Sequence, residues 1–84
     1  MNSKEEIFNQ AKKLHLAGNI NEAKNLYSKL VEEDKNNFLF QNLLGTTLLQ
    51  LKKYNEAIKH LDISIKLNPN FAESYANKGI ALAE

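Results

Sequence analysis

The chain reads as an all-α solenoid: five helices arranged as antiparallel hairpins. The first observation behind this reading is a 34-residue period. Asn21-Glu22-Ala23 returns as Asn55-Glu56-Ala57, Leu14 returns as Leu48 and Leu82, and Ala11 is followed by Gly45 and Gly79. A unit of this length is too small to bury its own apolar face, so neighbouring units stack and bury it together. The second observation is that apolar residues recur at helical spacing between polar breaks, with no strand-like alternation to compete. The third is punctuation: the single Pro, Pro69, falls between two helical stretches, and Gly18 falls in a turn.

The elements follow in order. Ser3 with Glu6 three residues later forms a capping box, each side chain satisfying an orphan N–H of the other residue. Ile7, Ala11, Leu14 and Ala17 then mark the first helix. Gly18-Asn19 stops it, because both residues tolerate the left-handed conformation that closes a helix end. The second helix starts at about Asn21, with Ala23, Leu26, Tyr27, Leu30 and Val31 as its buried stripe, and the polar run Asp34-Lys35-Asn36-Asn37 ends it. The third runs from about Phe38 to Leu51 on Phe40, Leu43, Leu44, Leu48 and Leu51. Lys52-Lys53-Tyr54 is the tight turn, and Asn55 is expected to cap the fourth helix, which carries Ala57, Ile58, Leu61, Ile65 and Leu67. Asn68-Pro69-Asn70 ends that helix, since Pro disfavours helical geometry at the residue before it. A fifth helix begins near Phe71 and reaches Glu84.

Composition narrows the function classes. At 84 residues the chain forms one small domain that buries roughly 60% of its unfolded surface. Net charge is +1 and locally balanced: residues 4–37 hold six Lys against six acids. There is no basic stripe of the kind a nucleic-acid binder needs. All eleven basic residues are Lys, which removes the planar bidentate grip on phosphate or carboxylate that Arg supplies. With no Cys, disulfides and thiolate metal sites are excluded. The acidic, polar start does not read as a secretory signal, and no apolar run approaches the roughly 18 residues of a membrane span. The expected location is cytoplasmic.

Laid out in units starting at Lys4, Phe38 and Ala72, the residues resemble the tetratricopeptide repeat. That family favours Leu-Gly at positions 7–8, a small residue at 8 and 20, large apolar residues at 11, 17 and 24, and Pro at 32. The second unit matches through Leu44-Gly45, Leu48, Tyr54, Ala57, Leu61 and Pro69. The first matches more loosely through Ile7, Ala11, Leu14, Ile20, Ala23 and Tyr27, with Lys35 in place of the Pro; the third supplies Tyr75, Gly79 and Leu82. The resemblance implies a right-handed α-α superhelix in one domain over 1–84, with repeats 4–37 and 38–71 and a partial repeat 72–84. Because the third unit stops at its thirteenth residue, the chain is expected to be a fragment of a longer one.

The resemblance also implies where binding occurs. In the family the first helix of each unit lines a concave groove, which here selects Phe8, Lys12, Leu39, Asn42, Thr46, Leu49 and Ile80 as peptide-groove candidates. Phe8, Leu39, Leu49 and Ile80 are apolar where folding does not require it, and Asn42 with Thr46 is placed to hydrogen-bond a peptide backbone. The family's carboxylate clamp for chaperone C-terminal tails is not reproduced. Its five positions hold Phe8, Lys12, Leu43, Glu73 and Asn77, and Glu73 would repel a carboxylate.

No catalytic, cofactor or metal site is expected. His15 and His60 are far apart in sequence and read as surface residues, and a metal site needs more converging ligands. Ser28 and Ser64 have no neighbouring His to activate them. The leading function is therefore a protein–protein interaction scaffold that binds a peptide or helical segment. The alternative is an N-terminal targeting or oligomerisation module of a larger enzyme such as a glycosyltransferase. Expected partners are proteins or peptides, without nucleic acid or membrane. A two-fold self-contact through the uncapped last helix, at Tyr75 and Leu82, would form a homodimer.

Overall fold

A computed structural model describes residues 3–84, so residues 1 and 2 of the expected domain lie outside the described range. Five helices follow one another: α1 Lys4–Leu16, α2 Ile20–Glu33, α3 Phe38–Gln50, α4 Tyr54–Leu67 and α5 Ala72–Ala83. Among the described residues there is no strand. The helices form two successive hairpins, α1–α2 and α3–α4, and α5 packs on α4 and, less extensively, on α3. The radius of gyration is 11.9 Å, about what a globular domain of this length shows. The principal extents are 39 × 25 × 17 Å, so the stack is already longer than it is thick.

The capping box forms as expected. Glu6 N–H donates to Ser3 Oγ at 3.3 Å, and Ser3 N–H donates to Glu6 Oε1 at 3.0 Å. The two hairpin turns share one solution. At the end of α1, Gly18 N–H donates to His15 O at 3.1 Å and Asn19 N–H to Leu14 O at 2.8 Å. At the end of α3, Lys52 N–H donates to Leu49 O at 2.9 Å and Lys53 N–H to Leu48 O at 2.8 Å. This paired closure needs a left-handed residue after the cap; Gly18 takes it at φ 86° and Lys52 at φ 65°.

That geometry corrects some helix boundaries. The reversal is complete by Lys53, whose carbonyl accepts from Ala57 N–H at 2.9 Å. The fourth helix therefore starts at Tyr54, and Asn55 lies inside it rather than capping it. By the same route α2 starts at Ile20, one residue before the expected Asn21, and Leu51 is the cap of α3 rather than its last turn.

Ala11, Ala23, Tyr27, Leu30, Val31, Phe40, Leu44, Leu48, Ala57 and Leu61 form the core cluster. Ala17, read as the last of the helically spaced apolar residues of the first helix, is its exposed C-cap. The tightest approach is between α3 and α4. A Cβ built on Gly45 would lie 2.7 Å from Leu61 Cγ, 2.8 Å from Leu61 Cδ2 and 3.3 Å from Ala57 O. Full burial of Leu61 stabilises the hairpin by roughly 1.5–3 kcal/mol, and Gly45 is what lets that side chain reach its seat. At Gly79, the equivalent position of α5, the same Cβ would meet nothing within 4 Å.

The histidines are not free surface groups, contrary to expectation. His60, half-buried on α4, donates from Nδ1 to Gln41 Oε1 at 2.8 Å, while Gln41 Nε2 donates to Lys35 O at 2.9 Å. Burial lowers the His60 pKa below the ordinary value, Lys59 lowers it further, and Glu56 opposes. His15 links three helices. Its Nε2 donates to Gln50 Oε1 at 2.7 Å, leaving Nδ1 of the neutral ring to accept from the Tyr27 hydroxyl at 3.2 Å. Tyr27 is fully buried, and burial raises its pKa.

Candidate functional site

The first helices of the units, α1, α3 and α5, stand side by side and are tied by their side chains. Between α1 and α3, the Phe8 and Phe40 rings meet edge to face at 5.4 Å near the start of both helices, and the His15–Gln50 hydrogen bond ties their far ends. The Lys12 ammonium sits 4.4 Å from the centre of the Phe8 ring, a cation–π contact that holds the charge against an apolar surface. Phe8 and Leu49 are half-buried and pack against the core cluster, so folding uses both, contrary to expectation; Leu39 is half-buried, and Ile80 on α5 is 52% exposed.

Between α3 and α5 the ties are polar. Asn42 has no exposed surface. Its Oδ1 accepts from Ser74 Oγ at 3.1 Å and from Asn77 Nδ2 at 3.3 Å, and its Nδ2 donates to Glu73 Oε1 at 3.4 Å. Thr46 Oγ1 donates to Asn42 O at 2.8 Å and accepts from Asn77 Nδ2 at 3.0 Å. Ser74 is in turn 2.7 Å from Ser64 Oγ, which donates to Phe38 O at 2.8 Å. Every buried side-chain polar atom among the described residues has a partner, as a polar network in a low-dielectric interior requires.

This network changes the list of groove residues. Asn42 is sealed inside the α3–α5 seam and is not available to a peptide backbone, and the Thr46 hydroxyl proton is already spent on Asn42 O. Of the seven candidates, Phe8, Lys12, Leu39, Thr46, Leu49 and Ile80 keep some surface on the α1–α3–α5 layer. The network itself was missed in the sequence because its members lie on three different helices.

A second surface stands at the other side of α5. Tyr75 is 48% and Leu82 64% exposed. A cavity of about 580 Å³ opens beside Leu82, lined by Tyr54, Ile58, Ala81 and the Lys52-Lys53 turn. Among the described residues, no group of three or more His, Asp or Glu could hold a metal ion, and no helix is long and apolar enough to cross a membrane.

A stack of helix hairpins with tight Gly45-type crossings and a layer of first helices defines a helical-repeat protein. Residues 14–78 match the profile described as "Tetratricopeptide repeat", and the chain belongs to the tetratricopeptide repeat family, with two repeats and the first helix of a third. It is 34% identical over 76 residues to Hsc70-interacting proteins 1 and 2 of Drosophila melanogaster; the match takes in 90% of this chain and 20% of each relative. The chain thus spans about a fifth of the length of these curated relatives. Among solved structures, it superposes on the first TPR of Spaghetti (RPAP3), solved with the HSP90 peptide SRMEEVD bound. The TM-score is 0.87 at 22% identity, over 93% of this chain and 62% of that one. The second TPR of the same protein, with the same peptide, gives a TM-score of 0.89 at 21% identity, over 95% and 74%.

Proposed function

We propose that the chain is a protein-interaction scaffold whose α1–α3–α5 layer receives a short segment of a partner protein, and that it has no catalytic activity of its own. The observation that carries this is the apolar surface left on that layer: Ile80 half-exposed, with Phe8, Leu39 and Leu49 beside it. The family, the similarity to Hsc70-interacting proteins and the likeness to domains solved with an HSP90 peptide support a protein or peptide ligand and a cytoplasmic setting. The mode of binding differs from a carboxylate clamp. The positions the family uses for it hold Phe8, Lys12, Leu43, Glu73 and Asn77, and the Asn77 amide protons are spent on Asn42 and Thr46.

A display library of random peptides panned against the chain tests the reading. Selected ligands are expected to lose at least about tenfold in affinity, or 1.4 kcal/mol, when Phe8→Ala or Ile80→Asp is introduced. Ligands indifferent to both changes would remove the groove.

A second reading, self-association through α5, is favoured by the exposure of Tyr75 and Leu82. Light scattering should then show a dimer that Leu82→Glu dissociates, whereas a strict monomer at millimolar concentration argues against it.

A further inference from the structure

We infer that the segment bound by the α1–α3–α5 layer is an amphipathic helix with basic residues flanking its apolar stripe, not an extended tail. The inference rests on the groove reading above and specifies its ligand. Its starting point is the donor account of the layer's centre. An extended peptide must satisfy its own backbone carbonyls, and each one desolvated without a donor costs about 1–3 kcal/mol. In the α3–α5 seam at the centre of this layer the side-chain donors are already engaged, and the Lys12 ammonium on α1 lies off that seam. The Ser74 hydroxyl donates to Asn42 Oδ1, the Thr46 hydroxyl to Asn42 O, and the Asn77 amide to Asn42 Oδ1 and Thr46 Oγ1, while Asn42 itself is fully buried. A helical ligand brings its backbone hydrogen bonds with it and asks the surface only for apolar contact. Leu39, Leu49 and Ile80 offer that contact.

Charge fixes the flanks. The 34-residue register puts Glu5, Leu39 and Glu73 at the same position of successive first helices, so two exposed carboxylates stand on either side of a leucine. Of the exposed lysines on α1, Lys4 beside Glu5 is drawn to Asp34 at 3.4 Å, and Lys12 is drawn over the Phe8 ring about two turns further along. Helices pack about 8–10 Å apart, so Glu5 and Glu73 are separated by roughly 20 Å. At 1.5 Å per residue that is about 13 residues of ligand helix. A helix with Lys or Arg about four turns apart and an apolar stripe between them is complementary to this edge, whereas an acidic tail is repelled.

Two display libraries panned in parallel against the 84-residue chain make the test. One randomises a single face of an Ala-rich helical scaffold of about 20 residues; the other is unstructured and of the same length. The helical library is expected to enrich ligands with basic flanks, and ligands from the unstructured library are expected to gain helical circular dichroism on binding. A central Pro in the best ligand should weaken it at least tenfold, and Glu5→Lys, on an exposed side chain, should weaken basic-flanked ligands several-fold. Ligands that keep their affinity with a central Pro, or that bind without a helical signal, overturn the inference and leave the groove intact. Acidic ligands that bind more tightly than basic ones overturn it as well. If neither library yields a ligand sensitive to Phe8→Ala or Ile80→Asp, the inference falls together with the groove.

Discussion

Two glycines at the same register position are predicted to respond oppositely to the same substitution. Gly45→Ala places a methyl 2.7 Å from Leu61 Cγ and 3.3 Å from the Ala57 carbonyl. Leu61 has no exposed surface, so its side chain or the α3–α4 spacing must shift to admit the methyl. Overpacking of this kind costs about 1–3 kcal/mol, and the better helix propensity of Ala returns about 1 kcal/mol. The net effect is a loss of up to about 2 kcal/mol. At Gly79 the added methyl meets nothing within 4 Å, so the propensity gain stands alone and Gly79→Ala stabilises by about 0.5–1 kcal/mol. For a domain of this size 1 kcal/mol moves the melting temperature by about 4–8 °C. Melting followed by circular dichroism at 222 nm, with urea titration to check that the slope is unchanged, resolves both shifts. Shifts of the same sign, or a stabilised Gly45→Ala, would refute the claim that close α3–α4 contact, and not helix propensity, governs this position.

Other perturbations test other parts of the structure. Lys52 holds φ 65° where the first hairpin uses Gly18, so Lys52→Gly should raise stability by about 1 kcal/mol, read as an increased urea midpoint. Ser74→Ala removes a donor to the buried Asn42 Oδ1 and the partner of Ser64; a loss of about 1–3 kcal/mol is expected, with α5 amides exchanging faster than those of α3 by hydrogen exchange. His60 titrates at a lowered pKa, so the unfolded chain binds its proton more readily than the folded one. Stability should therefore be fully present above the ordinary His value of about 6.5 and fall as pH drops below it. His60→Gln should flatten that fall below about pH 6.5.

Much of this fold was legible because its signals are local. The Ser3–Glu6 box, the Gly18 turn, Pro69 and the 34-residue period each act within a few residues or repeat identically. Asn55 misled because Asn is a good cap and the left-handed Lys52 gave no compositional warning; a positive φ at Lys is invisible to propensity. The candidate groove was read less well. Asn42 and Thr46 have the right residue types for contacting a peptide, but the same types serve a buried network, and the partners that decide between the two lie about one repeat away.

A signal for the network did exist in pairs of register columns. Leu30 and Phe40, both in the core cluster, correspond one repeat later to Ser64 and Ser74, which lie 2.7 Å apart. Ile7 and Leu26, packed against the core, correspond to Gln41 and His60, which also bond. In both columns an apolar pair is replaced by a polar pair, a coordinated exchange that single-position reading passes over.

These exchanges give the two seams of the array different alphabets. A helix like α5 set on the first hairpin would bring Ser74 against Leu30 and strand its hydroxyl; a helix like α3 set on the second would bring Phe40 against Ser64. Either misplacement buries a polar group without a partner, at about 1–3 kcal/mol each. Units alike enough to share a period are thus addressed, each accepting one neighbour and refusing the other. Sequence order becomes stacking order, and an array built this way resists the shuffled and domain-swapped assemblies to which near-identical repeats are prone.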